Sequence, residues 1–119
     1  MDLRPDGSMS AGRRVALALA LSAVVAGAHA GDAERVEAGR KLYVSSCQRC
    51  HGIDLVTSGI GFDLRRFPPH DKVRFVRSVT EGVRAMPAWG ATLKPEQIEL
   101  IWTYIGAVNG WKEEAGVPQ

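Results

Sequence analysis

The sequence predicts an all-α fold, with three main helices and their loops packed around one flat apolar group held covalently. Three observations predict it. Three stretches repeat apolar residues at spacings of three and four, while no stretch of the 119 residues alternates as a half-buried strand does. Glycine and proline gather between those stretches. Both cysteines of the chain stand in one pentapeptide, Cys47-Gln48-Arg49-Cys50-His51.

Residues 1–30 read as a cleaved signal peptide. Arg13-Arg14 precede an apolar run from Val15 to Gly27, and Ala28-His29-Ala30 supplies a small-residue processing site. The run is too short to anchor comfortably in a bilayer. Met9 is an alternative start, because Met1 to Ser8 forms a long polar leader. Cleavage after Ala30 leaves residues 31–119 as one domain. A chain of that size buries only about 60–65% of its unfolded surface, so a covalent staple helps it. The mature part holds twelve Lys/Arg against eleven Asp/Glu. That near-neutral balance gives no electrostatic case for nucleic acid, and none is expected as a partner.

Gly31-Asp32 reads as a cap, Asp32 offering an oxygen to the free amides of a helix start. From Ala33 to Ser46, Val36, Gly39, Leu42 and Tyr43 recur with helical spacing. A glycine inside a helix costs about 1 kcal/mol relative to alanine. Gly39 makes sense if a second helix crosses closely there. The pentapeptide follows, and its C-x-x-C-H spacing reads as covalent attachment of haem c. Two thiols three residues apart on one helical turn can each add to a vinyl group on a porphyrin edge. The next residue then lies beneath the ring, where an imidazole nitrogen can bind iron. A C-x-x-C pair also serves as a redox dithiol, a disulfide or half a zinc site. Zinc would need two more ligands, and outside the pentapeptide the chain offers only His29 and His70. A thioredoxin-like dithiol would need βαβ surroundings, which the pattern lacks.

From Gly52 to Pro69 the chain reads as a loop over the proximal haem face, with Gly59, Gly61, Pro68 and Pro69 breaking any periodicity. Leu64 and Phe67 are its expected haem-facing residues. Arg65 or Arg66 is expected to bond a haem propionate, since a guanidinium suits a carboxylate bidentately. Asp71 to Glu81 forms a second amphipathic helix, with Val73 three residues before Val76 and Phe75 four before Val79; Gly82 closes it. Pro95 at the first helical position opens a third helix running to about Val108. Ile98, Ile101, Trp102 and Ile105 form its buried stripe. Asn109-Gly110 ends it, and residues 112–119 read as a frayed tail.

Met1 and Met9 lie in the leader, which makes Met86 the one methionine of the mature chain. It stands in Arg84-Ala85-Met86-Pro87-Ala88-Trp89, between the second and third helices. Pro87 biases it to an extended conformation, and the loop is free to lie across the distal haem face. Met86 is therefore the expected second axial ligand, with His70 as the competitor, and Trp89 a further expected haem contact. A His/Met pair leaves no open position on the iron, and the thioether raises the potential relative to two histidines. Such iron suits the passage of single electrons rather than bond-making catalysis, so an electron-transfer protein is expected and not an enzyme.

From Gly39 to about Ile105 the sequence resembles the class I c-type cytochromes, which carry one haem with His/Met ligation. The likeness rests on Cys47-x-x-Cys50-His51-Gly52 and on Met86-Pro87. It also rests on Gly39 with Tyr43 and Ile101 with Tyr104, which match the positions where that family packs its first helix across its last. The resemblance implies a cytochrome c-like fold around one covalent haem c. The chain departs from the pattern at Phe62. Many members place a proline there, two residues before the loop leucine, and its carbonyl orients the axial histidine. Asp63-Leu64-Arg65 and Met86-Pro87-Ala88-Trp89 are also similar to small cytochromes associated with periplasmic quinoprotein alcohol dehydrogenases. The four-helix cytochromes c′ carry their motif near the C-terminus, unlike this chain.

The expected function is that of a soluble periplasmic one-electron carrier. Its donor would be a dehydrogenase, a quinoprotein alcohol dehydrogenase being one candidate, or a membrane complex; its acceptor would be a terminal oxidase or reductase. A monomer without a membrane span is expected once the signal is removed. The competing reading is a thiol–disulfide oxidoreductase that uses Cys47 and Cys50 without haem. Charge is uneven along the chain: Leu64 to Ala85 holds six positives and two negatives, Pro95 to the end one positive and four negatives. The basic Arg65–Arg84 region can steer encounter with an acidic redox partner, in the small and transient contact such pairs make.

Overall fold

Among the residues described by the computed structural model, 30–112, four helices carry the fold. The first, α1, is helical over 30–46; α2 is the single turn Gln48–His51; α3 spans Lys72–Glu81 and α4 Pro95–Asn109. A 3₁₀ turn occupies Leu64–Arg66. No strand occurs among the described residues, only isolated bridges between Ile53 and Val56 and between Val83 and Met86. Of the expected signal peptide only Ala30 is described, and residues 113–119 of the expected tail also lie outside the described residues. Ala33 opens the compact unit that holds the core.

Gly31 and Asp32, expected as a cap, lie inside α1 instead. Alanines at 30 and 33 favour continuation of the helix, and one glycine opposes it by only about 1 kcal/mol. Farther along, Gly39 and Tyr43 are buried. A Cβ on Gly39 would stand 1.9 Å from the Leu100 carbonyl oxygen and 3.0 Å from the Tyr104 Cβ. The expected helix crossing is therefore present, against the backbone of α4. It brings the rings of Tyr43 and Tyr104 to 5.1 Å between centroids, within the range where aromatic pairs attract. Ile101, the other expected partner on α4, is fully buried in the core.

The Asp71 carboxylate accepts from the Arg74 amide and so caps α3. Phe75 and Val79 are buried and Val76 partly so, whereas Val73 is 65% exposed. The apolar stripe of α3 is thus narrower than its spacing suggests. On α4 the Lys94 amide donates to Gln97 Oε1 at 2.8 Å, closing the helix start around Pro95. Ile98, Ile101, Tyr104 and Ile105 are buried, and Trp102 is partly buried against Phe75 and Trp111. Gly110, with φ +66°, ends the helix in the left-handed conformation. Asn109 Nδ2 donates to the Leu64 carbonyl at 3.1 Å, tying the 3₁₀ turn to the end of α4.

Two tyrosine hydroxyls pin the loop after α2. Tyr43 donates to the Gly52 carbonyl at 2.6 Å, and Tyr104 to Asp54 Oδ1 at 3.1 Å. Burial pushes both phenols above their usual value, and the Asp54 carboxylate adds to the effect on Tyr104. An unfolded tyrosine ionises near pH 10. The fold, which holds the neutral form, keeps this contribution below that pH and loses it as pH rises through the higher folded values. Denaturation midpoints should accordingly fall with pH above about 10, and Tyr43→Phe should flatten the fall.

Candidate functional site

The site begins where α1 runs into α2. The Cys47 amide donates to the Tyr43 carbonyl at 2.8 Å, that of His51 to Cys47 at 3.0 Å and that of Gly52 to Gln48 at 2.8 Å. These bonds hold Cys47, Cys50 and His51 on a single turn. Both cysteines are free thiols, Cys47 half-buried and Cys50 exposed. Burial, with a smaller contribution from Cys50, pushes the Cys47 thiol up to about 12. A dithiol enzyme needs the opposite, an attacking thiol with a lowered pKa.

His51 Nδ1 lies 2.8 Å from the Phe62 carbonyl oxygen. A carbonyl can only accept, so Nδ1 carries the proton and donates. The Nε2 lone pair is then left for a metal. Phe62 therefore supplies the carbonyl that orients the histidine, although it stands where the resembled pattern often has proline.

Gly52 ends α2 at φ +87°, ψ 165°, a region that glycine alone occupies readily. Ile53 to Val56 then form a bridged turn in which Asp54 and Leu55 take φ of +48° and +67°. The same device follows α3. Gly82 stands at φ +78°, ψ 163°, and Val83 and Met86 exchange both backbone hydrogen bonds, at 3.1 and 3.0 Å, with Arg84 at φ +53°. The sequence reading saw Gly82 only as a helix end and Gly52 only as a loop start. A signal was available in the shared spacing of Gly52-Ile53-x-x-Val56 and Gly82-Val83-x-x-Met86.

Met86, partly buried, closes the second of these turns. The segment is clamped to α3 from behind, since the Trp89 amide donates to Val79 at 2.8 Å and that of Gly90 to Thr80 at 3.1 Å. Those carbonyls lie in the last turn of the helix and would otherwise lack partners. Trp89 packs partly buried against the core, and Leu64 is buried within it. Phe67 sits in an aromatic cluster with Phe62, Phe75 and Trp102, with the Arg74 guanidinium 4.6 Å above its ring. Arg65 gives its fork to Asp63, at 2.9 and 2.8 Å, and holds that carboxyl below the usual range. The bidentate geometry expected for a propionate is thus met by a neighbouring side chain, while Arg66 is exposed. His70 is exposed in the turn before α3.

No group of three or more His, Cys, Asp or Glu that could hold a metal ion occurs among the described residues. The donor set suits a covalently held iron porphyrin: two free thiols on one turn, an imidazole with its tautomer fixed, and a thioether on a braced turn. Exposed apolar side chains are present as well. Ile53, Val56, Ile60 and Phe62 after the motif, Val73 on α3 and Val83 beside Met86 are all exposed.

Residues 34–105 match the family described as cytochrome c oxidase, cbb3-type, subunit III. The chain is similar to cytochrome c6 of Gloeothece citriformis (strain PCC 7424), at 37% identity over 94 residues, covering 73% of this chain and 83% of that protein. It is 35% identical to cytochrome c6 of Aphanizomenon flos-aquae over 82 residues, 63% of this chain and 94% of the other. Quinohemoprotein alcohol dehydrogenase ADH IIB of Pseudomonas putida is 35% identical over 75 residues, 60% of this chain, but the match spans only 11% of that protein's length. No solved structure matches the chain significantly. No described helix is long and apolar enough to cross a membrane. The all-α fold, the C-x-x-C-H turn and these matches converge: the chain belongs to the c-type cytochromes, which bind haem c covalently.

Proposed function

We propose that Cys47 and Cys50 attach the haem c by thioether bonds, that His51 and Met86 are its axial ligands, and that the protein carries single electrons in the periplasm. The observation that carries this reading is the 2.8 Å bond from His51 Nδ1 to the Phe62 carbonyl, which leaves Nε2 without that partner on the turn that also holds two free thiols. When bound, the haem supplies a one-electron iron couple. The chain's own residues do the rest. His51 and Met86 would hold the iron and keep water and substrate from it, and the bridged turn at Val83–Met86 limits the travel of the thioether. Leu64 and Trp89 are proposed haem contacts; Arg65, with its fork on Asp63, is a weaker one. The apolar run at 15–27 and Ala28-His29-Ala30 support export before attachment.

The matched stretch of a quinohemoprotein alcohol dehydrogenase supports an alcohol dehydrogenase of that kind as electron donor, with a terminal oxidase or reductase as acceptor. A pyridine haemochrome spectrum of the natively produced protein should report thioether-linked haem. An uncoloured protein with two alkylatable thiols would favour the thiol–disulfide reading instead. Met86→Ala should abolish the iron–sulfur charge-transfer band of the oxidised protein while haem content stays at one per chain. Persistence of the band would refute Met86.

Half of the basic Arg65–Arg84 side chains are already engaged: Arg65 with Asp63, Arg74 with Asp71, and Lys72 with Glu99 on α4. Arg66, Arg77 and Arg84 make no ion pair among the described residues. Steering should therefore rest on those three. Arg66→Glu combined with Arg77→Glu should slow association with an acidic partner about tenfold at low ionic strength, and added salt should shrink the difference.

A further inference from the structure

We infer that Thr57 is a positioning residue for His51: its hydroxyl clasps the loop at 57–61 and so holds the Phe62 carbonyl on the imidazole. This inference rests on the reading of His51 as an axial ligand. The clasp is a two-bond ring. Thr57 Oγ1 accepts from the Gly59 amide at 3.1 Å and donates to the Gly61 carbonyl at 2.9 Å. From Gly61 the connection to the site is direct, because its amide donates to the Cys50 carbonyl at 2.9 Å. A Cβ on Gly61 would stand 2.7 Å from that carbonyl oxygen and 3.0 Å from His51 Nδ1. The loop backbone thus lies directly on the Cys50–His51 turn, and the next carbonyl, that of Phe62, accepts from Nδ1.

The loop has little else to stiffen it. Gly59 stands at φ +100° with nothing within 4 Å of where a Cβ would be. Ile60 is 74% exposed and Phe62 56% exposed, the latter touching only the edge of Phe67 among aromatic rings. Within the polypeptide itself, the side chains of this stretch do not anchor it in the core. A half-buried hydroxyl supplies the constraint that a residue of fixed φ would supply.

The consequence is electronic. A firm Nδ1–H···O bond makes the imidazole a stronger donor through Nε2, and a stronger donor favours the oxidised iron. Release of the clasp lets the Phe62 carbonyl wander, weakens the bond and favours the reduced iron. Thr57→Val removes the hydroxyl and keeps the shape.

The test compares wild-type, Thr57→Val and Thr57→Ser holoproteins by redox titration and by proton NMR of the Nδ1–H resonance. Thr57→Val should raise the midpoint potential and speed exchange of that proton, with haem content and the iron–sulfur band unchanged. Thr57→Ser should restore both readouts. A normal wild type with an unmoved Thr57→Val overturns the role of Thr57 alone, and so does a Thr57→Ser holoprotein that behaves like Thr57→Val, because the hydroxyl would then not be what holds the loop. A wild-type holoprotein whose iron lacks His51 overturns the ligand assignment, and this role with it.

Discussion

Gly52→Ala should destabilise the protein by about 3 kcal/mol, through backbone strain and overpacking together. Each contribution can be located. At φ +87°, ψ 165° an alanine occupies a region that side chains avoid. Its Cβ would also stand 1.9 Å from the Val56 carbonyl oxygen. The turn cannot retreat to make room. Leu55 is fully buried, the Tyr43 hydroxyl holds the Gly52 carbonyl and the Tyr104 hydroxyl holds Asp54. Gly59→Ala is the control, because it has positive φ but open space around it; it should cost only about 1 kcal/mol. Urea unfolding of both holoproteins measures the difference, and equal losses would show that the collision with Val56 does not matter.

Gly39→Ala should cost about 2–3 kcal/mol, even though alanine is the better helix former by about 1 kcal/mol. The added methyl meets the Leu100 backbone rather than a movable side chain. The two helices must then separate, which loosens the Tyr43–Tyr104 contact and opens the buried row Ile98, Ile101, Ile105. A lower melting temperature at unchanged haem content is the expected result. An unchanged or raised melting temperature would mean that helical propensity outweighs the crossing.

The helices were legible in the sequence because their signals are local. Pro95 marks a first helical turn, Gly82 and Gly110 helix ends, and the isoleucines of α4 a buried face, whereas Asp71, read as the first residue of its helix, is the cap before it. The C-x-x-C-H turn was legible because its chemistry requires that spacing. Less legible was whatever depended on backbone angles or on a neighbour's identity. Asp54, Leu55 and Arg84 take positive φ although none is glycine, so the two bridged turns had no glycine inside them, and only the shared spacing after Gly52 and Gly82 marked them. The acceptor for His51 is a backbone carbonyl, which any residue at 62 could supply. Arg65 answers to Asp63 two residues away, and no pattern of charge distinguishes that pair from a guanidinium held for a ligand. Val73 has the right spacing for burial, yet nothing packs over it far enough to cover it.

The contact at Gly39 joins the first described helix to the last, and α4 contributes Ile98, Ile101, Tyr104 and Ile105 to the buried residues. A nascent chain still missing that final segment has nothing to close against Gly39 and Tyr43. Closure of this core must therefore wait until α4 has been made, whatever has formed upstream of it.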